Sequence, residues 1–119
     1  MSPKRIKQRF EDFTQALIRL EAVLKEDPNQ SDAFIDATIQ RFEFAYELAW
    51  KLMQDYLRFN GIEANNPRAV FKESFQQKII SDGESWLTML EDRNKTTHIY
   101  DEKQARRIYE AIKQGYPRI

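Results

Sequence analysis

The stretch Ile35-Asp36-Ala37-Thr38-Ile39-Gln40-Arg41-Phe42-Glu43-Phe44-Ala45-Tyr46-Glu47-Leu48-Ala49-Trp50-Lys51-Leu52-Met53-Gln54-Asp55-Tyr56 decides the architecture. Ile35, Ile39, Phe42, Tyr46, Ala49, Met53 and Tyr56 recur at alternating steps of four and three, which places them on one side of a helix. A strand would alternate at every second position instead. Upstream, Ile6, Phe10, Phe13, Leu17, Leu20 and Leu24 repeat the same spacing. Only the polar break Glu26-Asp27-Pro28-Asn29-Gln30 separates the two stripes. Two long helices with facing apolar seams and a short connection are expected to pack antiparallel, both stripes forming core. Phe44 and Leu48 project roughly opposite to the second stripe. A helix that is apolar on two sides is either central in a bundle or half of an oligomer interface.

Glycine and proline punctuate the rest. The three Gly and four Pro all fall where a helix can begin or end. Pro3 and Pro67 suit first helical positions, the latter behind Asn66 as N-cap. Gly61 and Gly115 suit the position just past a helix C-terminus. Ser81-Asp82-Gly83-Glu84 fits the Ser-x-x-Glu capping box. These marks predict helices over about 4–26, 31–60, 67–80, 82–96 and 101–115, the last with a narrow stripe of Ala105, Ile108, Tyr109 and Ile112. The expected fold is all-α: an antiparallel up-and-down bundle of about five helices in one domain spanning 1–119.

Composition excludes several chemistries. With no cysteine there are no disulfides, thiol nucleophiles, thiolate metal sites or iron–sulfur clusters. A single histidine, His98, rules out a metal site built on two or three His. Nineteen Lys and Arg balance nineteen Asp and Glu, so a strongly basic nucleic-acid coat is excluded but a local basic patch is not. The charged start Met1-Ser2-Pro3-Lys4-Arg5-Ile6-Lys7 leads into no apolar run, and no window approaches a membrane span. A soluble, cytoplasmic protein is the expectation. Phosphate-binding glycine loops, zinc-protease motifs and Ser/Cys–His triads are absent, and no metal site or cofactor is expected. Glu91 and Asp92 are adjacent on a helix and point about 100° apart, which suits a solvated face better than a shared cation.

The densest mixed polar stretch is Glu91-Asp92-Arg93-Asn94-Lys95-Thr96-Thr97-His98-Ile99-Tyr100-Asp101, between the fourth and fifth segments. Arg93 and His98 converge only if the helix ends between them; Thr96-Thr97 and Asp101 as a fresh N-cap favour such an end. An imidazole can take the ribose 2′-OH proton or protonate a leaving 5′-oxygen, and an Arg fork can hold the phosphate between them. This is the chemistry of RNA cleavage without a metal. On its own, the pair also describes a surface Arg and a capping His.

Larger stretches carry a resemblance. Gln40-Arg41-Phe42-Glu43-Phe44-Ala45-Tyr46-Glu47-Leu48-Ala49-Trp50-Lys51, Asp82-Gly83-Glu84-Ser85-Trp86-Leu87-Thr88-Met89-Leu90-Glu91-Asp92-Arg93-Asn94 and Thr97-His98-Ile99-Tyr100-Asp101-Glu102 together resemble the HEPN-domain proteins of the nucleotidyltransferase substrate-binding family, the HepT-like half of two-component modules. The resemblance implies a five-helix bundle that forms homodimers beside a cognate minimal nucleotidyltransferase. It implies a metal-independent RNase site at the dimer cleft, with Arg93 and His98 catalytic and Asn94 supporting. In the HepT-like group the motif extends to Arg-x4-His-x-Tyr, and the partner transfers AMP to the Tyr; the matching position is Tyr100. Three readings stay open on these residues: an RNase toxin restrained by its nucleotidyltransferase, a non-catalytic substrate-binding subunit of that transferase, or a helical interaction domain whose polar loop is structural.

Overall fold

The computed structural model describes residues 3–96 and 102–114. Five helices follow in chain order: α1 Pro3–Leu24, α2 Asp32–Phe59, α3 Pro67–Gln76, α4 Gly83–Thr96 and α5 Glu102–Lys113. The all-α expectation holds among these residues.

Local chemistry sets most of the helix ends. α1 opens on Pro3, whose missing N–H costs nothing in a first turn. Its last turn tightens through Lys25 N–H to Ala22 O (3.3 Å) and Glu26 N–H to Val23 O (3.1 Å). The Asp27 carboxylate then accepts from the Asn29 amide (2.9 Å), turning the chain, and Ser31 caps α2 by accepting from Ala33 N–H at 3.1 Å. α2 ends in a Schellman pair: Gly61 N–H bonds Arg58 O (3.0 Å) and Ile62 N–H bonds Leu57 O (2.9 Å). Gly61 sits at φ 80, where a Cβ would be strained. Asn66 accepts from Ala69 N–H (2.9 Å) ahead of Pro67, as the sequence predicts.

Two ends differ from expectation. α3 stops at Gln76, short of residue 80. Lys78 takes the left-handed conformation (φ 61) and closes a second Schellman pair, with Ile79 N–H on Ser74 O at 2.8 Å. A lysine there costs roughly 1 kcal/mol relative to glycine. The start of α4 is capped by Asp82 rather than by a Ser81 capping box. Its carboxylate accepts from Ser85 N–H (3.0 Å) and Ser85 Oγ–H (2.6 Å). Gly115 lies outside the described residues.

α1 and α2 pack antiparallel along their length, since Arg41 Nη1 donates to Arg19 O (2.8 Å) near one end and Arg9 Nε meets Asp55 Oδ2 (2.5 Å) near the other. Asp55 is buried, so its charge is matched by the one guanidinium that reaches it. α2 is central, packing against α1, α3 and α5, while α3 and α5 each also touch α4. An aromatic row runs through the core: Phe42–Tyr46 (ring centroids 6.2 Å apart), Tyr46–Phe71 (6.0 Å) and Phe71–Trp86 (5.3 Å), joining α2 to α3 and α4. The narrow stripe of α5 is fully buried, and Arg106 reaches Asn29 Oδ1 (3.4 Å) across to the α1–α2 turn.

The two long stripes leave the core where the start of α1 meets the end of α2. Phe13, Leu20, Ile35, Ile39, Phe42, Tyr46, Ala49 and Met53 are buried, but Phe10 is 50% and Tyr56 45% exposed. Ala16 and Val23 fill the α1 seam instead, and Ile6, Leu17 and Leu24 are only half-buried against it. At about 1.5 Å per residue α2 is ~42 Å long, and α4 and α5 are only about half that. The α1–α2 hairpin therefore outreaches the helices that cover it. Among the described residues, no helix is long and apolar enough to cross a membrane.

Asp82 supplies a pH test of the α4 cap. The hydroxyl of Ser85, then its amide, hold the Asp82 carboxyl below the usual carboxylate range. A lowered folded pKa means the stabilisation is complete above the unfolded value and fades as pH falls through the lowered one. Thermal melts of Asp82→Ala against the parent should therefore show the largest Tm deficit at neutral pH and a shrinking one in acid. A deficit independent of pH would mean that the ionised carboxylate is not the cap.

Candidate functional site

The aromatic row positions the site. Trp86 anchors α4 on Phe71, and Met89 and Leu90 continue its buried face. Arg93 follows Trp86 by seven residues, two turns on, and so points to the same side. That side meets α2 just beyond Tyr46. Arg93 Nη2 lies 3.8 Å from Glu47 Oε1, with the guanidinium side chain 22% exposed.

Glu47 is itself held. Its Oε2 accepts from Trp50 Nε1 at 3.0 Å and lies 3.9 Å from Lys51 Nζ. Glu47, Trp50 and Lys51 stand at i, i+3 and i+4, so one helical face carries carboxylate, indole and ammonium together. The other side of Arg93 is fixed within its own helix: Thr96 Oγ donates to Arg93 O (2.6 Å), and Arg93 Nη1 reaches Thr96 Oγ (3.5 Å). Arg93 Nε is buried and makes no hydrogen bond among the described residues. At 3.8 Å the contact with Glu47 is an ion pair rather than a close hydrogen bond. The guanidinium is oriented and partly open, with donor capacity left for an anion such as a phosphate.

Beside it lies the Tyr46 hydroxyl, buried and without a hydrogen bond among the described residues. Burial pushes this phenol well above its ordinary range, and the Glu47 carboxylate adds to the rise; Arg93 and Arg68 act against it. Tyr46 therefore stays neutral and marks a low-dielectric wall, where the charges of Glu47 and Arg93 are felt strongly.

Asn94, one step of about 100° round α4 from Arg93, is exposed and lines a groove between α4 and α5 with Lys95, Gln104 and Arg107. Arg93 thus turns to α2 and Asn94 to the α5 side. His98 and Tyr100, the other sequence-predicted site residues, lie outside the described residues. Among the described residues, no three of His, Asp and Glu gather to hold a metal ion. Sequence reasoning reaches Glu47 only as part of a longer matching stretch; its relation to Arg93 depends on how α4 lies on α2, which spacing alone does not supply. The signal available is the i, i+3, i+4 set on α2 together with an Arg seven residues past a core Trp.

Comparison with known proteins gives the family. A probable ribonuclease HepT of Haemophilus influenzae is 34% identical over 86 residues, a match that spans 68% of this chain and 59% of that relative's length. A crystal structure from Thermus thermophilus shares 34% identity, with a TM-score of 0.77 over 86% of this chain and 87% of that one. A structure from Haemophilus influenzae, described as revealing the fold of a substrate-binding domain of a nucleotidyltransferase, is 26% identical, with a TM-score of 0.62 over 93% of this chain and 88% of that one. The family model for nucleotidyltransferase substrate binding protein like sequences matches residues 8–118, and the chain belongs to that family.

Proposed function

We propose that this chain is a HEPN-type toxin, a metal-independent endoribonuclease restrained by a cognate minimal nucleotidyltransferase. The observation that carries the reading is the guanidinium of Arg93, held at the last turn of α4 by Glu47 and Thr96, not saturated among the described residues, and five residues ahead of His98 in sequence. In this reading Arg93 binds the scissile phosphate and stabilises charge on it. His98 serves the proton transfers: the 2′-oxygen loses its proton and attacks phosphorus, and the 5′-oxygen leaves and takes a proton. The products are a 2′,3′-cyclic phosphate and a 5′-hydroxyl. Asn94, which turns to the α5 side of α4, is the supporting polar residue of the motif in this reading. The similarity to a probable ribonuclease HepT favours this reading.

The reading is tested with a purified chain and single-stranded RNA. Arg93→Ala and His98→Ala should abolish cleavage with Tm nearly unchanged, cleavage should persist in EDTA, and the products should carry cyclic phosphate ends. Glu47→Ala should lower the rate by about tenfold or more, because a misplaced guanidinium loses the phosphate geometry. Loss of activity in EDTA, or full activity in His98→Ala, would overturn the mechanism.

Assembly is part of the proposal. Phe44, 59% exposed on α2, and the half-buried Leu48 offer an apolar face for a second copy, so that two sites share one cleft. Light scattering should give a dimer, and Phe44→Arg should give a monomer with little RNase activity. A monomeric parent at tens of micromolar that cleaves RNA would remove the dimer from the reading.

Restraint is proposed to act at Tyr100. Its phenolic oxygen attacks the α-phosphate of ATP held by the partner, pyrophosphate leaves, and the tyrosine gains AMP. The added charge and bulk repel RNA phosphate without refolding the bundle. Co-expression with a neighbouring minimal nucleotidyltransferase should add AMP mass to the Tyr100 peptide, and Tyr100→Phe should abolish the gain. An unmodified peptide with an active transferase would favour the second reading, a non-catalytic substrate-binding subunit. That reading draws on the family description and on the structural relative described as a substrate-binding domain.

A further inference from the structure

The end of the α1–α2 hairpin that α4 and α5 leave uncovered carries an open groove of about 770 Å³, closed on its third side by the turn after α3. Phe10 and Tyr56 stand half-exposed in it, and Ile6 and Ile79 extend the apolar lining. An apolar surface of this kind rimmed by charge marks an interaction site more often than a bare protein surface. The charges here have one sign: among the described residues, Lys7 and Lys78 line the groove and no acidic residue does. Lys4 precedes Lys7 by three residues and shares its face of α1.

Lys78 adds a second observation. It occupies the left-handed position that closes the α3 turn, where glycine would be relaxed. Backbone strain held at a particular residue is a pointer to function. What the lysine supplies in return is a cation at the groove rim.

We propose that this groove docks an amphipathic helical segment of a partner protein, with apolar side chains seated between Phe10 and Tyr56 and acidic residues paired with Lys7 and Lys78. Helix-in-groove recognition uses this division of labour, with apolar anchors at i, i+3, i+4 and i+7 giving affinity and rim charges giving selection. The groove is separate from the Arg93 site. Tyr56 lies nine residues beyond Glu47 on α2, about 13 Å along the axis and on the opposite face. An occupant there leaves the Arg93 side accessible, and the inference does not depend on the RNase reading.

The test uses two labelled synthetic helical peptides and the full chain. Both carry Leu and Phe at i, i+3, i+4 and i+7; one has Glu on its flanks and the other Lys. Fluorescence anisotropy should show the acidic peptide binding at least tenfold tighter. Phe10→Ser and Tyr56→Ser should each weaken it at least tenfold, and Lys7→Glu with Lys78→Glu should reverse the preference. Lys78→Gly should bind the acidic peptide more weakly while raising Tm by about 4 °C. Equal binding of the two peptides, or no binding of either at several hundred micromolar, would overturn the proposal. So would a Phe10→Ser variant that loses self-association rather than peptide binding, which would make the occupant a second copy.

Discussion

The row of rings Phe42, Tyr46, Phe71 and Trp86 is the constraint from which the site follows. Each contact joins a different pair of helices or successive turns of one, and the row runs from the central helix through the shortest one into α4. Rings of this size pack in few ways, so α4 is fixed in rotation as well as position. Once Trp86 is seated, the helical period brings Arg93 round to the same side, against the residue that follows Tyr46. The site is thus a by-product of core packing: the face that buries Trp86, Met89 and Leu90 delivers a guanidinium at its last turn.

That placement has an electrostatic cost and a use. A charge on the core-facing side of a helix loses part of its hydration, and Glu47 offsets the loss. The Glu47 carboxylate is shared between Arg93, Trp50 and Lys51, so it does not close tightly on any one cation. A tight, fully hydrogen-bonded pair would stabilise the fold better but would consume the donors that the proposed phosphate contact requires. The neutral, buried Tyr46 hydroxyl keeps one wall of the pair at low dielectric. An anion arriving at Arg93 is attracted more strongly than at an exposed arginine for that reason.

Features governed by a few neighbouring residues were legible in the sequence. The two long helices, the Asn66 cap, the Gly61 turn and the Pro3 and Pro67 starts each rest on contacts within one or two turns. Features set by the relative lengths of distant elements were not. Phe10 and Tyr56 fit their stripes, but burial required a covering helix that α4 and α5 are too short to provide. The end of α3 carries no glycine because a lysine takes the left-handed position, so the usual mark is missing. At the start of α4 the sequence reads as a Ser81 capping box, but the Asp82 carboxylate takes both the amide and the hydroxyl of Ser85 and caps the helix instead. Of the candidate site, the motif names Arg93 and Asn94 in sequence, whereas the contact of Arg93 with Glu47 depends on how α4 lies beside α2.

Among the described residues, two cations break the local rules. Lys78 sits where glycine would relieve strain, and Arg93 sits where an apolar residue would extend the buried face of α4. A sequence that specifies its fold at most levels tends to depart from the locally best residue where something other than folding is being served. The other boundary residues here show no such conflict: Ser31, Asn66, Asp82 and Gly61 are each among the best residues for their places. The exceptions also stand on different parts of the surface, one at the apolar groove beside Phe10 and Tyr56, the other against Glu47. Lys78 carries backbone strain and Arg93 a partly buried charge, so the two departures differ in kind as well as in place. Both departures fall where the two proposed sites need a cation, one for a phosphate and the other for an acidic partner.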